Sequence, residues 1–222
     1  MLGHSVSKNS LVLGIFAAVT AATIALTFQG TKTLIAKEER KAALAALVDM
    51  IPNSRHNNDL LRDTVVLSKA DSQALGFNQL VELNIAKMDN KPIALVIPAI
   101  AHDGYSGDIK MIIAVNLDST LAGVRILAHK ETPGLGDKID LRKSQWIHSF
   151  DGVSLINPAR QFWKVKKDGG EFDQFTGATV TPRAVVKRVK ETLEFFEQRK
   201  TEWLSSITNK TIDLSSTEPR YE

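Results

Sequence analysis

The chain has no cysteine among its 222 residues, which excludes disulfides, thiolate zinc sites and protein-ligated iron–sulfur clusters. Any redox chemistry therefore falls to an organic cofactor. The net charge of +3 is small and spread out, and no basic run is interleaved with aromatics, so nucleic acid is excluded as a partner. His129 and His148 lie 19 positions apart without a paired carboxylate motif, which is no metal signature. A Rossmann fingerprint and internal repeats are also missing. Two hundred and twenty-two residues then suit one medium domain plus an anchor, at about 150 residues per domain.

The longest apolar run lies between Lys8 and Lys32, with no charged residue between them and a centre, Leu11 to Phe28, of Leu, Val, Ile, Ala and Phe with a few Thr and Gly. About 20 residues at 1.5 Å each cross a bilayer core, so the run reads as a helical anchor in membrane lipid. It exceeds the apolar region of a cleaved signal, and no small-x-small cleavage site follows. Counting bases beside the span gives Lys8 on one side against Lys32, Lys37, Arg40 and Lys41 on the other, a weak vote for a cytoplasmic domain. From Lys32 to Met50 the chain is rich in Ala, Leu, Lys and Glu without Gly or Pro, which predicts a helical stalk ended by Pro52 and Asn53.

Strand patterns follow. Val81 to Met88 and Pro92 to Ala101 flank the turn cluster Asp89-Asn90-Lys91 and predict a hairpin; Ile109 to Leu117 and Leu121 to Ala128 flank Asp118-Ser119-Thr120 and predict another. A short strand is expected at Thr64 to Leu67. Asp103-Gly104-Tyr105-Ser106-Gly107 joins the hairpins, its glycines allowing a sharp turn or the approach of a flat ligand. After a tight loop, His129 to Asp137, a short helix is expected at Asp140 to His148, with Trp146 and Ile147 packing inward, and a strand at Phe162 to Lys166. Trp146 and Trp163 read as core, and the tail from Ser205 as disordered.

The chain is organised around Asp173-Gln174-Phe175-Thr176-Gly177-Ala178-Thr179-Val180-Thr181-Pro182. Beyond it, Val185, Val186, Val189, Leu193 and Phe196 keep to one face of a 3.6-residue repeat, predicting an amphipathic helix. Thr181 and Pro182 read as its N-cap and first position. A helix start gathers unpaired N–H groups, so an anion near Thr179 would be stabilised there. The fold class is α+β: an N-terminal transmembrane helix and stalk, then one domain with an antiparallel sheet and packed helices.

Asp-x-x-Thr-Gly-Ala-Thr resembles the attachment motif of the FMN-binding domain family, matched here by Asp173, Thr176, Gly177, Ala178 and Thr179. His129 to Asp137, Asp103 to Gly107 and the apolar N-terminal segment are similar, in order and spacing, to the G subunits of Rnf (Rsx) electron-transport complexes. The resemblance implies FMN joined by a phosphodiester to Thr179 through a separate flavin transferase, with Asp173 and Thr176 among the residues the transferase reads. It also implies that Gly134, Leu135 and Gly136 lie beside the isoalloxazine, with Glu131 and Thr132 as polar partners of the ring edge. On the residues alone, these glycines equally shape a turn, Asp173 is equally a turn residue, and Lys166 and Lys167 are either phosphate ligands or solvated charges.

The implied protein is a bacterial inner-membrane electron carrier. It works with other membrane and redox subunits that couple electron flow between ferredoxin-type carriers and NAD to ion movement. The implied orientation places the large domain in the periplasm, against the local charge count. Expected divisions are residues 1–31 for the N-terminus and anchor, 32–52 for the stalk, 53–204 for the FMN-binding domain and 205–222 for the tail. The C subunit of a sodium-translocating NADH:quinone reductase, and a non-redox sensor or scaffold with a bare Thr179, are the alternatives.

Overall fold

A computed structural model describes the backbone of residues 2–216 and the side chains of residues 9–207 other than 33 and 35–43. The chain forms two compact units, divided between Ala43 and Leu44. Helix α1 (Leu2–Met50) supplies all of the first unit's described structure. Within it, Asn9–Lys32 is long and apolar enough to cross a membrane, and none of it is buried by protein. Its threonine hydroxyls are satisfied internally: Thr20, Thr23, Thr27 and Thr31 each donate to the carbonyl four residues earlier at 2.8–2.9 Å. A helix in lipid has few other acceptors to offer them.

The second unit is built on a five-stranded antiparallel meander, β1 (Thr64–Val66), β2 (Glu82–Met88), β3 (Lys91–Gly104), β4 (Gly107–Asn116) and β5 (Leu121–Ala128), paired in chain order. Met88 pairs with Lys91, so the β2–β3 turn has only two residues, Asp89 and Asn90. Both have positive φ, 51° and 63°, as the twist-matched hairpin turn demands. Pro98 lies in a central strand without breaking the ladder. Ile100, of the same parity, turns its amide away from β4 to the carbonyl of Leu75, so the amide Pro98 lacks would face the edge beyond Val96, where the pairing with β2 has ended.

Side chains alternate across this sheet, and both faces are covered. Leu95, Ile97, Ala99 and Ala101 of β3 join Ile109, Met111, Ile113 and Val115 of β4 in one core beneath helix α3 (Val180–Ser216). Val185, Val186, Val189, Leu193 and Phe196 of α3 are all buried there, as their spacing predicts, each contributing about 1.5–3 kcal/mol of gross burial. On the opposite face, Ala94, Val96, Ile112 and Ala114 pack against Leu47, Met50, Ile51 and Leu60. The last turn of α1 is therefore part of the domain core, where the sequence predicts a stalk up to residue 52. A Cβ on Gly123 of β5 would sit 2.9 Å from Met50 Cγ.

Four further expectations meet a different structure. Phe162 to Lys166 is no strand: Trp163 and Val165 are buried in alternation, but the only bridge is Val165 to Phe172, and 3-10 turns at Arg160–Phe162 and Lys166–Asp168 flank it. The short helix expected at Asp140 to His148 is a 3-10 turn at Trp146–Phe150, with Ile147 buried and Trp146 half-buried. Helix α3 continues to Ser216 through the expected tail; residues 217–222 lie outside the described residues. It also begins at Val180, with the Arg183 amide bonding the Thr179 carbonyl at 3.3 Å. Thr181 is thus inside the first turn and is not its cap, and Pro182 occupies a position whose amide needs no intrahelical partner.

Candidate functional site

The loop before α3 is pinned from below by two buried aromatics, Phe172 and Phe175. Phe172 stacks on Phe150 with centroids 4.7 Å apart, and Phe175 meets Trp146 edge-on at 5.2 Å. Trp146 also donates its indole N–H to the Asp173 carbonyl at 2.8 Å. Held at both ends, the chain turns tightly: the Ala178 amide bonds the Phe175 carbonyl at 3.1 Å, and Gly177 takes φ 80° at the position where such a turn favours glycine. Thr179 follows, immediately before the helix.

The three threonines of this stretch have different surroundings. Thr176 is exposed at the turn. Thr181 is fully buried, and its hydroxyl donates to Glu131 Oε2. Thr179 is half-buried, and among the described residues none hydrogen-bonds its hydroxyl. The unpaired amides of Val180 and Thr181 lie just beyond it at the positive end of a long helix, an arrangement that favours an anion.

A second loop closes over this point. The Thr132 carbonyl accepts the amides of Leu135 and Gly136, both at 3.1 Å, and of Asp137 at 3.4 Å, a tight reversal in which Gly134 has φ 77°. Gly136 meets a different constraint: a Cβ there would lie 2.7 Å from Thr181 Oγ1 and 3.1 Å from Glu131 Oε2. Glu131 is buried, and its Oε1 accepts the Ser106 amide at 2.9 Å. One carboxylate thus ties the β3–β4 hairpin tip, the 129–136 loop and the start of α3 together. The Glu131 amide in turn donates to His129 Nδ1 at 3.1 Å, and His148 Nδ1 lies 2.6 Å from Asp151. Both imidazoles are locally bonded.

Between these parts opens a cavity of about 290 Å³. It brings together seven of the predicted residues: Glu131, Thr132, Leu135, Gly136, Gly177, Ala178 and Thr179. Asp173, Thr176 and Gly134 lie outside its lining, the first exposed and ion-paired to Lys166 at 2.7 Å. Tyr105, Val180 and Thr181 line it without having been assigned to it from sequence. The aromatic set between two glycines at the hairpin tip was a signal for Tyr105; Thr181 gave none, because a cap reading already accounted for it.

Three cations around the helix start, Lys166, Arg183 and Lys187, are each held by a carboxylate. A hydrogen bond from Lys166 to Asp173 raises the lysine above its ordinary value, and one from Lys187 to Asp103 does the same. Arg183, bonded through two nitrogens to Asp168, holds that carboxyl below the usual range. Among the described residues no cluster of His, Asp and Glu is placed to hold a metal.

Two family matches cover most of the chain: an FMN-binding domain over residues 104–194 and an RnfG N-terminal region over residues 1–50. The chain is 44% identical over 206 residues to the G subunit of the ion-translocating oxidoreductase complex of Vibrio atlanticus, covering 93% of this chain and 97% of the relative. It is 46% identical to the protein of the same name from Shewanella amazonensis, over 90% and 93% of the two chains. The Vibrio vulnificus counterpart, again of that name, is 44% identical over 93% and 96%.

Proposed function

The chain belongs to the family of G subunits of ion-translocating oxidoreductase complexes, and from that premise we propose that it is a membrane-anchored electron carrier whose FMN is attached to Thr179. The observation that carries this reading is the Thr179 hydroxyl: accessible, unbonded, on the wall of a cavity and at the start of a long helix. Of the three threonines at 176, 179 and 181 only Thr179 offers a free oxygen inside the cavity. The residues present fit the group. Gly136, Gly177 and Ala178 leave room beside Thr179, the orphan amides of α3 suit a phosphate, and Tyr105 and Leu135 provide apolar surface for a ring. A cavity of about 290 Å³ is at the small end for a ligand of this size, so part of the ring stays open to partners.

Bound FMN supplies the electron-carrying chemistry, which the side chains of a cysteine-free protein do not. The chain's own task is to hold, shield and tune. Thr179 anchors the phosphate as a diester, so that the net product is protein plus FMN less one water. Among the described residues no base bonds the Thr179 hydroxyl, and an unactivated hydroxyl is a poor nucleophile, which fits attachment by a separate flavin transferase. Asp173 and Thr176, exposed outside the cavity, are available to be read by that enzyme. The partners are the other redox and membrane subunits of an Rnf-type complex that links ferredoxin and NAD chemistry to ion movement. The anchor at residues 1–31 sits in the inner membrane, and the domain faces the periplasm.

A denaturing gel of the native protein viewed under ultraviolet light tests the attachment. A fluorescent band is expected; a dark band from cells that contain the transferase leaves a tethered domain with a bare Thr179.

A further inference from the structure

Glu131 takes no part in the attachment, yet it is 4% exposed and lines the cavity. Its Oε1 accepts the Ser106 amide at 2.9 Å and its Oε2 accepts the Thr181 hydroxyl. The Ser106 amide can only donate, so Oε1 accepts, and the Thr181 hydroxyl lies against Oε2. The donors come from the hairpin tip and from the first turn of α3, so the group is fixed from two sides. Two glycines pack close to it: a Cβ at Gly104 would lie 3.0 Å from Oε1, besides 2.3 Å from the Gly107 carbonyl, and one at Gly136 would lie 3.1 Å from Oε2, besides 2.7 Å from Thr181 Oγ1. Buried charges are ordinarily matched by an opposite one. Among the described residues no lysine, arginine or histidine is ion-paired with Glu131, and only neutral donors hold it. Its field is therefore left uncancelled by a direct partner in the wall of the cavity, where it opposes the arrival of electrons.

We propose that Glu131 is a positioning residue whose fixed negative charge lowers the reduction potential of the flavin at Thr179, while Thr181 and the Ser106 amide hold that charge in place. This rests on the flavin occupying the cavity, as proposed above.

The test uses the full chain, purified in detergent from cells that contain the flavin transferase, with the attached flavin titrated anaerobically against dyes of known potential. Glu131→Gln keeps the shape and removes the charge; it shifts the equilibrium toward reduced flavin by tenfold or more, about 30 mV for a two-electron couple. Glu131→Asp keeps the charge and shortens the arm, so its equilibrium stays within about threefold of wild type while its unfolding midpoint falls. Thr181→Val strips a donor from the carboxylate and moves the potential lower. A flavin-bearing Glu131→Gln chain whose equilibrium shifts by less than twofold overturns the inference. Should Glu131→Gln fail to fold, an unchanged or higher potential in Thr181→Val does so instead. A wild-type chain with no attached flavin overturns the functional reading, whereas a flavinylated wild type with an unmoved variant overturns this inference alone.

Discussion

Replacing Gly136 with alanine perturbs the site at its most crowded point. The added Cβ would sit 2.7 Å from Thr181 Oγ1, and 3.1 Å from both Glu131 Cβ and Glu131 Oε2. None of these atoms is the free end of a flexible exposed side chain, because Thr181 and Glu131 are buried and bonded to each other. Overpacking of this kind costs roughly 1–3 kcal/mol. At about 2–4 °C per kcal/mol for a domain of this size, the midpoint falls by roughly 2–12 °C. Gly134, two residues away, separates steric from backbone effects. Its φ is 77° and nothing lies within 4 Å of its virtual Cβ, so Gly134→Ala costs only the left-handed conformation, about 1–2 kcal/mol. The assay is thermal unfolding followed by tryptophan fluorescence, which Trp146, Trp163 and Trp203 all report from the domain. In-gel flavin fluorescence is read in parallel, and Gly136→Ala is expected to lower it more than Gly134→Ala does. Removing Thr181 Oγ1 vacates the contested space, so Gly136→Ala combined with Thr181→Ala is less destabilised than the sum of the two single changes. Strict additivity, or a Gly136→Ala chain as stable and as fluorescent as wild type, would refute the packing argument.

The Asp140 carboxyl is held below its usual range by a hydrogen bond from Arg142, so the folded state binds fewer protons and this contribution is complete above about pH 4 and lost as pH falls through the depressed value. Arg142→Ala should flatten the fall of the unfolding midpoint below about pH 4, and an unchanged slope counts against the assignment. Trp146→Phe removes the bond to the Asp173 carbonyl and is expected to cost about 1 kcal/mol in urea unfolding and to reduce flavin fluorescence; wild-type values on both would mean the indole does not hold the loop. Because the chain has no cysteine, a single Ser54→Cys substitution gives a background-free topology probe, and a membrane-impermeant maleimide added outside intact spheroplasts should label it if the domain is periplasmic. Labelling only after lysis reverses the orientation.

Features set by neighbours in sequence were the legible ones. The cluster Asp89-Asn90-Lys91 marks the hairpin, although Lys91 pairs in β3 and leaves a turn of Asp89 and Asn90 alone, and the apolar face of α3 follows from spacing alone. Features set by distant partners were not. Trp163 and Val165 alternate with Lys164 and Lys166 as a strand would, but alternation cannot reveal that no strand lies alongside. Thr181 reads as a helix cap until Glu131, fifty residues earlier, is seen to take its hydroxyl. Likewise, nothing in Ala94 or Val96 announces that Leu47 and Met50 will cover them. At the site, the motif residues were legible by resemblance and most converge on one cavity. The division between residues that line it and residues that face outward, Asp173, Thr176 and Gly134, needed the backbone path.

Intact mass of the native, fully processed chain tests the account most directly. It should exceed the polypeptide by FMN less one water, with the increment lost in Thr179→Ala and kept in Thr181→Ala. A native chain at its bare polypeptide mass, or an increment that survives Thr179→Ala, would contradict it.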